Sequence, residues 1–145
     1  MLSDFTPSAT VAVKNLKAVR SFYEGILGFK PSGSALRGAQ VFSVKGGTVV
    51  IYESPFAGTN KATAVTWTLG EHFDDMVKAL DAKGVPFEHY KLAGVVLEGH
   101  VHVVQEGSPS RVAWFKDPEG NLHNLNNGSA SLVVGTASIV GAIAP

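Results

Sequence analysis

The chain has 145 residues, which suits one domain large enough to bury a sizeable core. Twelve basic and twelve acidic side chains cancel, and the basic residues are scattered, which excludes a nucleic-acid partner recruited by positive charge. The sequence contains no cysteine, which excludes disulfides, thiolate metal sites and cysteine nucleophiles and fits a reducing compartment.

The two ends of the sequence give no sign of membrane targeting. "MLSDFTPSAT" lacks the basic and apolar regions of a signal peptide. The last twenty residues, "NNGSASLVVGTASIVGAIAP", are uncharged, but polar residues interrupt them and no basic flank precedes them. We therefore expect a cytoplasmic protein without a membrane partner, in which residues 128–145 form a terminal strand or a partner-docking tail.

The first half predicts a strand, a helix and further strands. "TVAV" alternates, and Asn15 is suited to cap a helix whose apolar stripe includes Leu16, Val19, Phe22 and Tyr23. Gly28 follows the predicted helix end. "QVFSV" and "TVVIYE" then predict two strands joined by a glycine turn.

The second half repeats this scheme. "AVTWTL" predicts a strand, and a helix with Phe73, Met76, Val77 and Leu80 follows it and ends at Gly84. Three strands are predicted at "VPFEHY", "RVAWF" and "NLHNL". The chain thus divides into module one (about 6–54), a linker (about 55–61) and module two (about 62–127), each with the order βαβββ.

The stretch "WFKDPEGNLHNL" predicts a hairpin with a hard turn. Asp117 is suited to accept backbone N–H groups, Pro118 presets φ, and Gly120 supplies a positive φ.

Together with "RSFYEGILGF" and the helix ending in "AKGVPF", this hairpin gives the sequence its resemblance to the vicinal oxygen chelate superfamily. That superfamily includes glyoxalase I, extradiol dioxygenases and the fosfomycin- and bleomycin-resistance proteins. The resemblance covers about residues 8–126 and implies an α+β fold in which two βαβββ modules curl into a partly open barrel around a cavity.

Strand alternation then divides the residues between cavity and core. Helix-facing positions include Val11, Val13, Val65 and Trp67, and Tyr52 is assigned to the core. The residues expected to line the ligand cavity are Ser8, Thr10, Phe42, Ile51, Glu53, Ala64, Thr66, Tyr90, His100, His102, Trp114, Leu122 and Asn124, with Phe56 as a further aromatic candidate.

Metal-using members of the family place a ligand on the first and last strand of each module. Carried onto this sequence, the four positions are Ser8, Glu53, Ala64 and Asn124. Only Glu53 is a good ligand, since Ala64 has no donor atom and Asn124 offers a neutral carbonyl. We therefore expect no metal cofactor.

One alternative retains a metal. "GHVHVV" would place His100 and His102 on one side of a strand, where they could chelate a divalent ion such as Zn, Ni, Mn or Fe together with Glu53. Otherwise the two histidines line a polar wall. Glu53 itself is either a structural carboxylate, paired with Arg37 or Arg111 or simply solvated, or a functional one that acts as a general acid or base or anchors a ligand amine.

The sequence as a whole predicts a metal-independent protein that binds a small organic molecule, similar to the sequestering proteins of the bleomycin-resistance type and, as the resemblance implies, a homodimer. The alternative is a glyoxalase-like lyase, isomerase or dioxygenase that uses a divalent metal or Glu53.

Overall fold

The structure, a computed structural model, describes residues 1–5, 8–34, 38–60, 62–105 and 110–128 of the chain. It contains two compact units, the first formed by Met1–Ala64 with Asp117–Asn121 and the second by Val65–Lys116 with the chain from Leu122 onward. Within the described residues, no helix is long and apolar enough to cross a membrane.

The first unit contains a four-stranded sheet and one helix. Its strands are β1 (Ala9–Val13), β2 (Lys30–Pro31), β3 (Ala39–Val44) and β4 (Gly47–Glu53), in the spatial order β1-β4-β3-β2. Strand β1 runs parallel to β4, and the other two pairs are antiparallel. The helix, α1 (Leu16–Arg20), continues as a π-helical turn over Ser21–Ile26.

Helix α1 begins where the sequence predicts, but it ends at Arg20, and the π-helical turn carries the helical segment on to the predicted end before Gly28. The Asn15 side chain accepts a hydrogen bond from the Ala18 N–H at 2.9 Å, as an N-cap does. Gly28 adopts φ 72° just past the π-helical turn. The core of the unit lies between helix and sheet, where the ring of Tyr23 contacts those of Phe29 and Phe42 at centroid distances of 5.4 and 6.4 Å.

The turn Asp117–Asn121 belongs to the first unit, although the sequence places it in module two. Asp117 is 3% exposed and accepts the backbone N–H groups of Glu119 and Asn121 at 2.9 and 2.8 Å. Its second oxygen accepts the Tyr23 hydroxyl at 2.6 Å and the Asn121 amide at 2.8 Å. Asn121 also donates to the carbonyl of Ala12 at 2.8 Å. The motif therefore fixes the turn to β1 and to the helix.

The second unit contains a larger sheet than the sequence predicts. Its strands are β5 (Thr63–Thr68), β6 (Phe87–Glu88), β7 (Val95–Glu98), β8 (Val101–Val104), β9 (Ser110–Lys116) and β10 (Leu122–Asn126). Their order is β5-β10-β9-β8-β7, and β6 pairs with β9. The β7–β8 hairpin was not predicted, because Val96, Leu97 and Glu98 are all exposed and show no alternation.

Helix α2 (Phe73–Ala82) packs on one face of this sheet through Phe73, Val77 and Leu80, which are buried. The guanidinium of Arg111 on β9 lies 5.6 Å from the centre of the Phe73 ring and bonds Asp74 at 2.5 Å. The face that carries Arg111 is therefore the helix face of the second sheet.

The fold class agrees with the sequence prediction of an α+β protein with two βαβββ modules, the second enlarged by a hairpin. The C-terminal segment 129–145, for which a strand or docking tail was predicted, lies outside the described residues.

Candidate functional site

The register of the first sheet corrects the predicted facing of its strands. Thr10 on β1 is opposite Val50 on β4, and Val11 is opposite Ile51. Because directly opposite residues point to the same side, Ile51 shares the helix face with buried Val11, and Thr10 lies on the face away from the helix. We call the latter the helix-distal face of each sheet. Ile51 is fully buried in the core and does not line a cavity.

Phe42 and Tyr52 were also assigned to the wrong faces. Phe42 is opposite Val49, so it lies on the helix face, where it packs against Tyr23 and Phe29. Tyr52 is opposite Ala12 and is 37% exposed on the helix-distal face. Phe56 lies in the loop after β4 and is 77% exposed. Of the other predicted cavity residues, Thr10 lies on the helix-distal face, and the hydroxyl of Ser8, which precedes β1, bonds Thr48.

Glu53 has a structural partner that the sequence did not suggest. It is opposite Val13 on the helix face, and its Oε1 accepts the N–H of Leu16 at 2.9 Å. A carboxylate at the first residue of a helix satisfies a free backbone donor and complements the helix dipole. Arg111, one of its two predicted partners, bonds Asp74 instead, and Arg37 lies outside the described residues.

The four family metal positions do not provide a ligand set. Ala64 has no donor, the Ser8 hydroxyl bonds Thr48, and Glu53 accepts the Leu16 N–H. Asn124 Oδ1 accepts the Asn126 amide at 3.4 Å. In the part of the chain that the structure describes, no three His, Asp or Glu side chains form a group that could hold a metal ion.

His100 and His102 lie on opposite faces of the second sheet, which separates the predicted H-x-H pair. His100 precedes β8, stacks on Phe87 at 4.6 Å and bonds Asp81 of α2 at 3.0 Å, so it belongs to the helix face. His102 is opposite Val112 on the helix-distal face. The predicted pairing assumed that both histidines lie in one strand. Strand β8 begins only at Val101, so strand alternation does not apply to His100.

The helix-distal face of the second sheet concentrates the remaining candidates. Asn124 is opposite Trp114, and Asn126 is opposite Val112, which is itself opposite His102. This face therefore carries His102, Val112, Trp114, Leu122, Asn124 and Asn126, all of them buried. Tyr90 and Leu92 pack against its apolar part. Thr66, predicted for the same wall, is exposed on β5, and Ala64 is partly buried.

The rings on this face are in contact. The centroids of His102 and Trp114 are 4.9 Å apart, with the planes at 78°, and Tyr90 lies 5.5 Å from Trp114. The imidazole Nε2 of His102 is 2.9 Å from the backbone N–H of Tyr90. Burial lowers the pKa of His102, and the nearby backbone of Val112 offsets part of that shift without forming a hydrogen bond of normal geometry to Nδ1.

Among the residues that the structure describes, three polar atoms on this face are buried and have no hydrogen-bond partner. They are His102 Nδ1, Trp114 Nε1 and Asn124 Nδ2, and a further such atom, Thr63 Oγ1, lies at the start of β5. Buried side-chain polar atoms are mostly paired in native proteins, so a group of unpaired ones on one face requires an explanation. An equivalent indole on the helix face is paired, since Trp67 Nε1 donates to His123 Nδ1 at 3.1 Å.

One edge of the same face carries an ion pair. Glu88 is opposite Trp114, and its carboxylate lies 3.3 Å from Lys116 Nζ. The Tyr90 hydroxyl donates to Glu88 at 3.5 Å, and burial, followed by the charge of Glu88, raises the pKa of Tyr90 to about 12. Sequence reasoning missed Glu88 and Lys116, although the alternation of β9 could have placed Lys116, whereas the alternation of β10 predicts the shared face of Leu122, Asn124 and Asn126.

Comparisons with known proteins agree with this fold. Residues 7–125 match the profile of the Glyoxalase/Bleomycin resistance protein/Dioxygenase superfamily, so the chain belongs to that superfamily. No curated protein matches the sequence closely enough to count as a relative.

Several solved structures are similar. A glyoxalase/bleomycin resistance protein/dioxygenase from Alicyclobacillus acidocaldarius has a TM-score of 0.65 and 18% identity, covering 85% of this chain and 90% of that one. Integron cassette protein HFX_CASS4, from the mobile metagenome of the Halifax Harbour sewage outfall, has a TM-score of 0.59 and 26% identity, covering 82% of this chain and 94% of that one. The fosfomycin resistance protein FosX from Listeria monocytogenes, complexed with Mn(II) and sulfate, has a TM-score of 0.63 and 18% identity, covering 94% of this chain and 99% of that one.

Proposed function

We propose that this protein binds a small organic molecule, without a metal ion, on the helix-distal face of its second sheet. The observation that carries the proposal is the group of three buried, unpartnered polar atoms beside the rings of Tyr90, His102 and Trp114. Ligand sites combine an apolar, aromatic wall with a few polar groups that fix orientation, and this face has that composition.

The donor chemistry at the family metal positions supports the metal-independent part of the proposal. Ala64 cannot coordinate an ion, the side-chain oxygens of Ser8 and Asn124 are hydrogen-bonded within the protein, and one of the two Glu53 oxygens accepts the Leu16 N–H. The same kind of contact argues against the enzyme alternative, which needs Glu53, His100 and His102 to act together or Glu53 to act as an acid or base. Glu53 bonds the start of α1, and His100 and His102 face opposite sides of the sheet.

A thermal-shift screen tests the proposal. Protein purified without chelators and protein treated with EDTA are each screened against aromatic metabolites, antibiotics and 2-oxo compounds. A ligand present at a hundred times its Kd adds about 2.7 kcal/mol to the folded state, so a binder raises Tm by several degrees. We expect the same compounds to act on both preparations. Glu53→Gln should bind them unchanged, whereas Trp114→Phe should not.

Elemental analysis of the protein purified without chelators distinguishes the enzyme alternative. About one tightly held divalent ion per chain would contradict the proposal, since metal centres of this kind need several converging imidazole or carboxylate ligands.

The proposal includes a homodimer that acts in the cytoplasm. The resemblance to the family supports the dimer, and the cysteine-free sequence supports a reducing compartment. Light scattering coupled to size exclusion should give a mass near twice 15.2 kDa, and a mass near 15.2 kDa would contradict the dimer.

A further inference from the structure

We infer that the ligand of this face presents hydrogen-bond-accepting oxygen atoms, of a carbonyl or a carboxylate, to Trp114 Nε1, Asn124 Nδ2 and His102 Nδ1. The inference rests on the proposed function and extends it by assigning the chemical class of the ligand. It follows from which atoms are unpartnered, because each of them carries a hydrogen to donate.

Trp114 gives the simplest case. An indole nitrogen is only a donor, so it requires an acceptor. The side chain is fully buried in the centre of β9, and its Nε1 has no partner. A ligand oxygen would supply what this N–H lacks.

The orientation of the Asn124 amide is fixed by a chain of hydrogen bonds. The backbone N–H of Gly128 donates to Asn126 Oδ1 at 3.0 Å, which identifies that atom as the oxygen. The nitrogen of the same amide then donates to Asn124 Oδ1 at 3.4 Å. Asn124 therefore points its NH₂ group away from Asn126, and this group is the unpartnered donor.

The protonation of His102 follows from its contact with Tyr90. The Tyr90 backbone N–H can only donate, so Nε2 of His102, 2.9 Å away, must be the unprotonated nitrogen. Burial also favours the neutral ring by lowering its pKa. In a neutral imidazole the single proton then resides on Nδ1, the atom without a hydrogen-bond partner.

The three donors form one patch. The His102 and Trp114 rings are 4.9 Å apart, and Asn124 is directly opposite Trp114 on the neighbouring strand. Opposite residues of an antiparallel pair have Cβ atoms about 5 Å apart, close enough for one ligand group to contact both. Tyr90, 5.5 Å from Trp114, adds an aromatic wall beside them.

The charges nearby disfavour a cationic ligand. In the described part of the chain, the carboxylate on this face is that of Glu88, which is already paired with Lys116 and accepts the Tyr90 hydroxyl. Arg111 lies on the helix face and pairs with Asp74. A ligand ammonium group would therefore meet three N–H donors and a compensated carboxylate, whereas an oxygen would meet complementary hydrogens.

The unpaired donors should also make the site selective. Leaving a buried donor without a partner costs about 1–3 kcal/mol, and a ligand oxygen removes that cost. Sites built to hydrogen-bond a polar group reject analogues that lack it far more strongly than apolar pockets reject a missing methylene.

Proton NMR of the two indole N–H groups tests this inference directly. The protein has two tryptophans, so ¹⁵N-labelled chain shows two indole signals, and Trp67→Phe and Trp114→Phe assign them. Four probes of similar size are titrated: acetophenone, benzoate, benzylamine and ethylbenzene. The first two carry an acceptor oxygen, one neutral and one charged, and the other two carry none.

We expect acetophenone or benzoate to move the Trp114 indole proton downfield and to leave Trp67 in place, because Trp67 already donates to His123. If acetophenone shifts the Trp114 signal at the lower concentration, the site prefers a carbonyl, and if benzoate does, the site prefers a carboxylate. Benzylamine and ethylbenzene should bind at least about tenfold more weakly, which corresponds to one lost hydrogen bond of about 1.4 kcal/mol. Asn124→Asp, which replaces the NH₂ donor by a carboxylate oxygen, should weaken benzoate more than acetophenone.

Two results would overturn the inference in distinguishable ways. Equal shifts of the Trp114 signal with benzylamine or ethylbenzene would refute the inference that the ligand must present an acceptor oxygen. They would leave the proposal of small-molecule binding at this face intact. If none of the probes, nor any compound active in the thermal screen, moves the Trp114 signal, water satisfies the three donors, and the proposed site fails together with the inference.

Discussion

The two asparagines of β10 differ in role although both are buried and both lie on the helix-distal face. Asn126 is bonded at both ends of its amide, to the Gly128 N–H and to Asn124 Oδ1. Asn124 is bonded only through its oxygen. The family resemblance places a carboxylate at this position in metal-using members, so an amide here replaces a potential ligand oxygen by a donor NH₂ group.

His102 makes the stability of the chain depend on pH. Its pKa is lowered in the folded state, mainly by burial and also by His89, so the unfolded chain takes up a proton more readily. Stability from the neutral ring is therefore fully present above the ordinary histidine pKa of about 6.5 and is lost as the pH falls below it.

We predict that the urea midpoint of unfolding decreases between about pH 7.5 and about pH 5.5, a window spanning the unfolded pKa of about 6.5. His102→Gln, whose side-chain oxygen can still accept the Tyr90 N–H, should show a smaller decrease. An equal decrease in both proteins would exclude His102 as the source.

At the scale of elements, the register of β1 against β4 determines which residues of the first sheet are available to a ligand. The alternation within each strand was predicted correctly, since Val11 and Val13 share a buried face and Ile51 and Glu53 share one parity. The relative facing of the two strands was wrong, because a parallel register joins residues about forty positions apart and no local pattern encodes it.

Phe42→Ala and Tyr52→Ala distinguish the facing predicted from the sequence, with Phe42 in the cavity and Tyr52 in the core, from the facing in the structure, which is the reverse. Phe42 is 1% exposed and packs against Tyr23 and Phe29, so its truncation should cost about 3–5 kcal/mol of unfolding free energy. Tyr52 is 37% exposed, and its truncation should cost less than about 1 kcal/mol. Urea unfolding measures both. A stable Phe42→Ala protein that has lost ligand binding would restore the original cavity assignment.

The turn Asp117–Asn121 should be the most sensitive loop of the first unit, because one buried carboxylate accepts four hydrogen bonds. Asp117→Ala leaves these donors unpaired and should cost about 3 kcal/mol or more. Tyr23→Phe removes one bond and should cost about 1–2 kcal/mol. Glu119→Ala is the matched control, since only its backbone N–H reaches Asp117. Similar losses in all three variants would show that the network does not hold the turn.

For the whole molecule, the sequence was sufficient for the family and the class of fold. Both modules, the caps at Asn15 and Gly28, and the Asp117 turn are local signals that the structure confirms. The candidate site was only partly predictable. Trp114, His102 and Asn124 share a face because β8, β9 and β10 pair in one register. His100 was misplaced because the start of a strand, which a sequence defines poorly, decides where alternation begins.

Isothermal titration calorimetry tests the central claim most directly, with the strongest compound from the thermal screen and three proteins: wild type treated with EDTA, Trp114→Phe and Trp67→Phe. Both substitutions remove one indole N–H, but only that of Trp114 lacks a partner. We predict that the EDTA-treated wild type and Trp67→Phe bind with the affinity of the untreated protein, and that Trp114→Phe binds at least about tenfold more weakly, the equivalent of one hydrogen bond. Binding that disappears with EDTA and returns with a divalent metal, or that is unaffected by Trp114→Phe, would contradict the account.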